Sequence, residues 1–580
     1  MTQLDTEPQV EATRPRVWPA IMLLFFILAL QLVPVLLPAQ TMATRLVLFV
    51  GPQVYALLIM LWWLFLSRIP IRDRLLGAGG LVLILAGTTA FLDPSMTEGI
   101  GIIGSVIPWG MTAFVVGFLA TYWLPGRRPT AIALVAALLG FGFWTLVRSE
   151  GVWGDFSSEV HWRWEKPPEE RILAELSRRD RAQVAPPLAH DPMTETEWPG
   201  FRGPGRDGVL PGVTLAEDWS ASPPRELWRI PVGPGWSSFA VAGQRLFTQE
   251  QRGDDEVVVA YDAATGNELW AHAYPSRFWE SQGGVGPRAT PTLSKSMLFT
   301  LGAQGLLHRL DPATGEMAWQ ADLRADAGRE PPTWGFSSSP LVVNDLVIVH
   351  AGGEGNLGVL AYDADSGALR WGAPAGGHSY SSPQLLTVDG IPSIVMVTDA
   401  GLSLIDPADG AVLWQYEQAS QYRVLQPLLI AGSSLLMSSR FEGTSRMDMV
   451  REGGKFTGRQ RWDSRFMKSD FSDYVAHDGY LYGFDISIFA CIDLDTGQRH
   501  WKGGRYGHGQ VLLLPDADQL LVAAENGDLA LLRAHPERHD ELARMEVLHG
   551  KTWNHPVLVG ARLYLRNSEE AVGLELPIMP

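Results

Sequence analysis

The sequence predicts an all-β propeller of eight blades with tryptophan-docking repeats, preceded by an α-helical membrane domain of five transmembrane helices. Three observations carry this reading. Five apolar runs precede Val147, one ten-residue phrase occurs five times between Tyr261 and Trp501, and eight short apolar strands each open a new repeat.

The helical part comes first. The runs Trp18 to Leu37, Leu46 to Leu66, Leu75 to Leu92, Ile100 to Leu124 and Ala131 to Val147 each approach the ~20 residues that a helix needs to cross about 30 Å of hydrocarbon. A cleaved signal peptide is therefore not expected. Arg14 and Arg16 precede the first run, Arg68, Arg72 and Arg74 follow the second, and Arg127 and Arg128 follow the fourth. The alternate loops hold only Arg45 in one case and Asp93 with Glu98 in the other. Because arginine is retained on the cytoplasmic side, residues 1–17 are expected inside and the chain beyond Arg148 outside, as in a multi-pass protein of a bacterial inner membrane with a periplasmic domain. Few ionisable residues lie within the runs, so no proton or ion path is expected there. The runs serve as an anchor in the lipid bilayer or hold a quinone pocket that the sequence does not locate.

Residues 148–197 read as a connector. "KPPEERILAELSRRDRAQ" has early acids, Ile172, Leu173 and Leu176 at helical spacing and late arginines, which favours a short amphipathic helix near the membrane surface. "VAPPLAHDP" reads as an extended, proline-stiffened link.

The remainder, 198–580, repeats itself. "YDAATGNELW" ending at Trp270 returns at Trp319, Trp371, Trp414 and Trp501, with a worn copy at Trp462 and a truncated one at Trp228. Each phrase describes a hairpin: an apolar strand ends at Asp, Gly supplies positive φ, and the next strand carries Trp. Two further strands precede each hairpin, and four strands per roughly 40–50 residues is a propeller blade. Inner strands begin near Trp236, Arg288, Ser337, Tyr380, Val424, Phe471, Gly509 and Asn554. The last repeat has only three strands, so Glu226 to Pro231 is expected to supply its fourth and close the ring.

Composition narrows the partners. A net charge of -17 excludes a basic nucleic-acid footprint, and a single cysteine, Cys491, excludes an intrachain disulfide framework and a covalent-haem motif.

The repeats resemble the tryptophan-docking repeats of the pyrroloquinoline quinone (PQQ)-like propeller family, from about Trp198 to Leu576. "WPGFRGPGRDGV", Trp198 to Val209, and "GPRATPTL", Gly286 to Leu293, are similar to phrases of bacterial members. Five spans followed by an external propeller is similar in plan to membrane-bound quinoprotein glucose dehydrogenase. The resemblance implies either a non-catalytic scaffold or an enzyme that holds PQQ and Ca²⁺, oxidises an alcohol or sugar and passes electrons to ubiquinone.

Aligning the inner strands on the proline of Thr290-Pro291, Ser339-Pro340, Ser382-Pro383, Gln426-Pro427 and His555-Pro556 places Ser238, Thr290, Ser339, Ser382, Gln426 and His555 in one layer around a central funnel. Two residues earlier stand Trp236, Arg288, Ser337, Tyr380, Val424 and Trp553. Arg288 is expected to meet a carboxylate or phosphate beside stacking faces of Trp236, Trp334 or Trp553, or else to bridge blades. Arg288, Trp236, Ser339, Tyr380, Gln426, Trp553, Asn554 and His555 are the candidate ligand-binding residues. Asp473 and Asp470 are the candidate bases, and no metal-ligand set is assigned. Periplasmic or membrane proteins are the expected macromolecular partners.

Overall fold

The computed structural model describes residues 15–36, 42–97, 101–155, 157–179, 196–420 and 423–579. The chain divides into a helical unit, up to Glu165 and including Ser281–Gly283, and a β unit made of the rest. The link Val184 to Pro192 lies outside the described residues.

The helical unit contains helices Trp18–Leu36, Met42–Leu61, Ile71–Phe91, Ile107–Leu119 and Arg128–Gly142. Two π-helical segments, Trp62–Leu66 and Gly101–Val106, extend the second and precede the fourth. Three stretches are long and apolar enough to cross a membrane: Ile71–Phe91, Gly101–Leu119 and Arg128–Leu146. The apolar helices Trp18–Leu32 and Val50–Leu66 are shorter. Arg127 pairs with Asp73 at 3.2 Å, and Arg16 N–H donates to Ser67 O at the same end of the bundle. At the other end Ser149 N–H donates to Ser95 Oγ. Small residues let the last two helices pack closely: a Cβ on Gly140 would stand 2.5 Å from Ala113 Cβ. A hairpin, Val147–Val152 with Ser158–Trp162, follows the last helix in the stretch that the sequence presents only as a connector.

In the β unit the helix Pro168–Arg179 forms with Glu169 and Glu170 in its first turn. It docks on the propeller through buried Ile172 and through Arg171–Glu569 and Arg277–Glu169 ion pairs at 2.6 and 2.8 Å.

Eight four-stranded antiparallel sheets follow. Seven keep their strands in chain order, with inner strands at Ala240–Ala242, Thr292–Ser294, Leu341–Val343, Gln384–Val388, Leu428–Ile430, Val475–His477 and Gln510–Leu514, which open blades 1 to 7. Blade 8 has inner strand Val557–Val559, and its outer strand is Arg225–Pro231 from the opposite end of the domain. The expected closing strand is therefore present, paired as Trp228 with Gly573 and Ile230 with Ala571.

The repeat phrase has a double role. Its Asp accepts from the turn it opens, as Asp311 does from Ala313 and Thr314 N–H at 2.7 and 3.0 Å. Its Gly carries the previous blade's tryptophan: a Cβ on Gly315 (φ 76°) would stand 2.6 Å from Trp270. Trp270 Nε1 donates to Pro312 O at 3.1 Å, and Trp228, Trp319, Trp462 and Trp501 make equivalent bonds to the next repeat's turn at 2.8–3.0 Å. These five blades are thus each pinned to the next by one indole, which buries a large apolar surface while satisfying its only donor.

Candidate functional site

The layer of polar residues aligned from the inner-strand prolines forms a ring of hydrogen bonds. Ser238 N–H donates to Thr290 Oγ1 at 3.0 Å, Thr290 N–H to Ser339 Oγ at 2.9 Å, and Ser339 N–H to Ser382 Oγ at 2.9 Å. Gln426 Nε2 donates to Ser382 O at 3.4 Å, and Tyr474 OH to Gln426 O at 3.2 Å. Asp473 N–H donates to Gln510 Oε1 at 3.3 Å, and Gln510 Nε2 to Trp553 O at 3.1 Å. Ser238 Oγ closes the circuit on His555 O at 2.6 Å. Every blade contributes, so Ser339 and Gln426 stand in a girdle between blades. Blades 6 and 7 lack the Pro marker, and their members Tyr474 and Gln510 are therefore invisible to the alignment.

Below the girdle the funnel has a floor. Residues 198–210 cross the axis of the ring and touch seven of the eight blades. Trp198 pairs with Val241, Pro199 O accepts from Leu293 N–H, and Leu210 N–H donates to Leu513 O. Arg206 donates to Pro340 O and Ser339 O at 2.9 and 3.1 Å, and Gln384 Nε2 donates to Arg206 O at 3.2 Å. Arg202 donates to Tyr474 O at 2.9 Å and pairs with Asp473 at 3.4 Å, while the Phe201 ring meets His555 edge-on at 4.7 Å. Both arginines are buried at positive φ, 60° and 53°. Burial, helped by Arg202, lowers Arg206 to about 10.

This placement decides the chemistry of Asp473. Its carboxylate lies between Arg202 and His555 Nε2, 3.3 Å away, and burial raises its pKa against the pull of Arg202. Burial and Arg202 hold His555 well below the usual imidazole value, so it stands neutral. Asn554 donates to Gly235 O and Ser237 O at 3.2 and 2.8 Å and so ties blade 8 to blade 1.

Above the girdle, blades 5 to 8 and 1 build a charged, aromatic wall. His508 stands between Asp470 and Glu525, 3.6 Å from each, and Arg440 pairs with the same Asp470 oxygen, Oδ2, that faces His508. Burial opposes charge on His508, but the two carboxylates outweigh it and push its pKa up to about 9. Burial likewise opposes charge on Glu525, yet His508 brings it down to about 2; Asp470 is lowered by His508 and Arg440 despite its burial. Phe471 stacks on His508 and meets Trp553, whose Nε1 donates to Glu525 at 2.8 Å. Trp236 and Trp553 face each other at 4.6 Å, with the Lys551 ammonium 5.5 and 4.8 Å from their ring centres. Such a cation over two indoles is held by their ring quadrupoles.

The opposite side is built differently. Tyr380 packs on Trp334 at 4.7 Å, accepts from Trp334 N–H at 3.1 Å and shares a hydrogen bond with His378 Nε2 at 3.1 Å. Beside it lies a cavity of about 550 Å³ lined by Arg329, Glu330, Glu354 and His378 among others. Arg288 turns back on its own hairpin: it donates to Gly284 O, Val285 O and Gly286 O and pairs with Glu280 at 3.0 Å, with Phe278 beneath it. Nearby, burial raises Glu256 to about 7 against the hydrogen bond from Tyr274.

The site thus sets two contacting indoles and buried cations above the floor. Its carboxylates do not fit a calcium site. Asp470 and Glu525 are spent on a cationic His508, and Asp473 on Arg202, so a divalent ion would have to displace a positive charge from each. Among the described residues the one convergent metal-ligating group, His477 with Asp478 and Asp518, lies in the turns after the inner strands of blades 6 and 7. Arg202, Arg206, Arg440, Glu525 and Lys551 were beyond sequence reasoning, because nothing in their spacing shows which loops converge.

A family model described as outer membrane protein assembly factor BamB matches residues 220–327 and 254–503. None of the curated proteins matches the chain. BamB from Moraxella catarrhalis is similar in structure over 61% of this chain and 100% of its own, at 14% identity and TM-score 0.45. A europium-containing methanol dehydrogenase is similar over 66% and 99%, at 12% identity and TM-score 0.47. The quinohemoprotein alcohol dehydrogenase from Comamonas testosteroni is similar over 70% and 84%, at 13% identity and TM-score 0.46. Over the matched stretch, and in its ring of tryptophan-docking blades, the chain is similar to the PQQ-like repeat β-propellers.

Proposed function

We propose that this protein is a membrane-anchored binding module whose funnel takes a planar anionic ligand on the face made by Trp236, Trp553 and Lys551. The observation that carries this reading is the Lys551 ammonium set against two facing indoles above a closed floor. A flat carboxylated ring gains stacking from the indoles and charge pairing from the lysine, and the floor leaves it one way in. The helical domain crosses the inner membrane five times with the N-terminus cytoplasmic, leaving the propeller periplasmic. The clustering of Arg16, Asp73 and Arg127 at one end of the bundle supports that topology.

The test uses PQQ as a planar tricarboxylate probe, followed by quenching of tryptophan fluorescence in the full-length protein. Saturable quenching that Lys551→Ala and Trp553→Ala weaken about tenfold or more, while the exposed Lys295→Ala does not, supports the reading. Quenching that is linear in probe, or equal in all four proteins, overturns it.

The runner-up is a PQQ-dependent dehydrogenase acting on an alcohol or sugar and delivering electrons to ubiquinone. It requires PQQ retention that depends on Ca²⁺ and dye reduction with such substrates. The ion-paired state of Asp470 and Asp473 favours the binding module.

A further inference from the structure

The helical unit holds a cavity of about 300 Å³, bounded by the first helix, the second helix and the segment from Gly101 to Leu119. Ile27, Leu30, Pro52 and Trp109 line it with apolar surface, and Gln31 and Thr112 are its polar groups. Ile27 and Leu30 are buried, whereas Leu28, Leu32 and Trp109 beside them are 54%, 53% and 51% exposed, so the cavity sits at the perimeter of the bundle. Gln31 is the sole amide in the otherwise apolar helix Trp18–Leu36. A polar side chain at such a place in hydrocarbon is costly unless it serves a purpose.

The surrounding backbone is irregular as well. Pro52 lies inside the second helix, where it removes one backbone donor, and Gly101–Val106 is π-helical. Non-helical backbone at membrane depth is tolerated where it lines a cavity, and π segments recur at functional sites. Gln53, next to Pro52, donates to Ile103 O at 3.3 Å in this π segment. Its Oε1 is buried with no hydrogen-bond partner among the described residues, which is a cost at this position. Thr112 Oγ1 bonds Pro108 O and Tyr55 OH at 2.8 and 3.1 Å, which fixes its position in the wall. The end of the first helix, the start of the second and the start of the fourth all lie toward the end of the bundle that carries Ser95 and Ser149.

We propose that this cavity holds the head of a neutral membrane amphiphile that both donates and accepts hydrogen bonds, with its apolar chain lying along the outside of the bundle. Neutrality follows from a lining without a charged side chain. A donor on the head answers the Gln31 amide oxygen, an acceptor answers the Gln31 amide NH₂, and Trp109 offers a flat face. Acylglycerols and isoprenoid quinols share this chemistry. The inference rests on the membrane reading of the helical unit and is independent of what the funnel binds.

The experiment uses full-length protein in phosphatidylcholine nanodiscs doped with a diazirine-bearing monoacylglycerol, with crosslinks mapped by peptide mass spectrometry. Expected is labelling concentrated on the segments around Gln31 and Trp109, reduced about threefold or more in Gln31→Leu and in Thr112→Val, and unchanged in Leu139→Ala on the exposed face of the last helix. Competition by excess monoolein alone assigns an acylglycerol, and competition by decylubiquinol alone a quinol. Labelling spread evenly over the helices, or insensitive to both competitors, overturns the proposal. Recovery of the protein without detergent would instead remove the membrane reading, so the two failures are distinguishable.

Discussion

Arg202 of the floor segment and Asp473 of blade 6 stand 3.4 Å apart with 2% and 3% of their side chains exposed, and this pair fastens the floor to the ring. Removing one partner leaves the other charge buried alone, which typically costs about 3–5 kcal/mol. Arg202→Ala is therefore expected to lower the melting temperature of the protein sharply, and Arg202→Ala with Asp473→Asn to recover part of the loss. A double variant no more stable than the single would show that the pair is not what holds the floor.

The His508 cluster gives stability a pH signature. His508 rises from about 6.5 to about 9, so its contribution is complete below about 6.5 and is lost as pH rises through 9. Glu525 falls from about 4.5 to about 2, so its contribution is complete above about 4.5 and is lost as pH falls toward 2. Melting temperature should plateau between these limits and decline on both sides. His508→Gln should flatten the alkaline limb; an unchanged limb would place the titration elsewhere.

The tryptophan pins give graded losses. Trp270→Ala is expected to cost about 3–5 kcal/mol by urea unfolding. Gly315→Ala should also destabilise, because φ 76° disfavours a side chain and the new Cβ would meet Trp270 at 2.6 Å. A neutral Gly315→Ala would mean that the indole can shift without loss.

Arg288 should behave as a hairpin clamp. Arg288→Ala releases three carbonyls and Glu280, so proteolysis between Phe278 and Gly286 is expected to accelerate, with affinity for the funnel probe unchanged. A matching loss of affinity with intact protease resistance would restore Arg288 to the ligand site.

The eight blades were legible because the same physics recurs in five of them, with an Asp to accept turn N–H groups, a Gly for positive φ and a Trp that needs a neighbour, and because the apolar inner strands mark the other three. Even the closing strand near Trp228 could be read, since three strands leave an edge that must be covered. The girdle layer was found in register at Ser238, Thr290, Ser339, Ser382, Gln426 and His555, but alternation along a strand shows only that such residues share a layer. Whether they face a ligand or the next blade depends on distances between blades. The phrase Trp198 to Val209 was visible as a family resemblance, yet its course through the axis was not, because nothing local distinguishes a surface loop from a floor.

That course has a mechanical consequence. Force from further up the chain first meets the docked helix Pro168–Arg179, whose Arg171 pairs with Glu569 of blade 8, and then the floor segment that begins at Trp198. From the floor the load is distributed to seven blades at once through Val241, Leu293, Ser339, Gln384, Tyr474, Leu513 and His555, so the tether draws on the middle of the ring as well as on its seam.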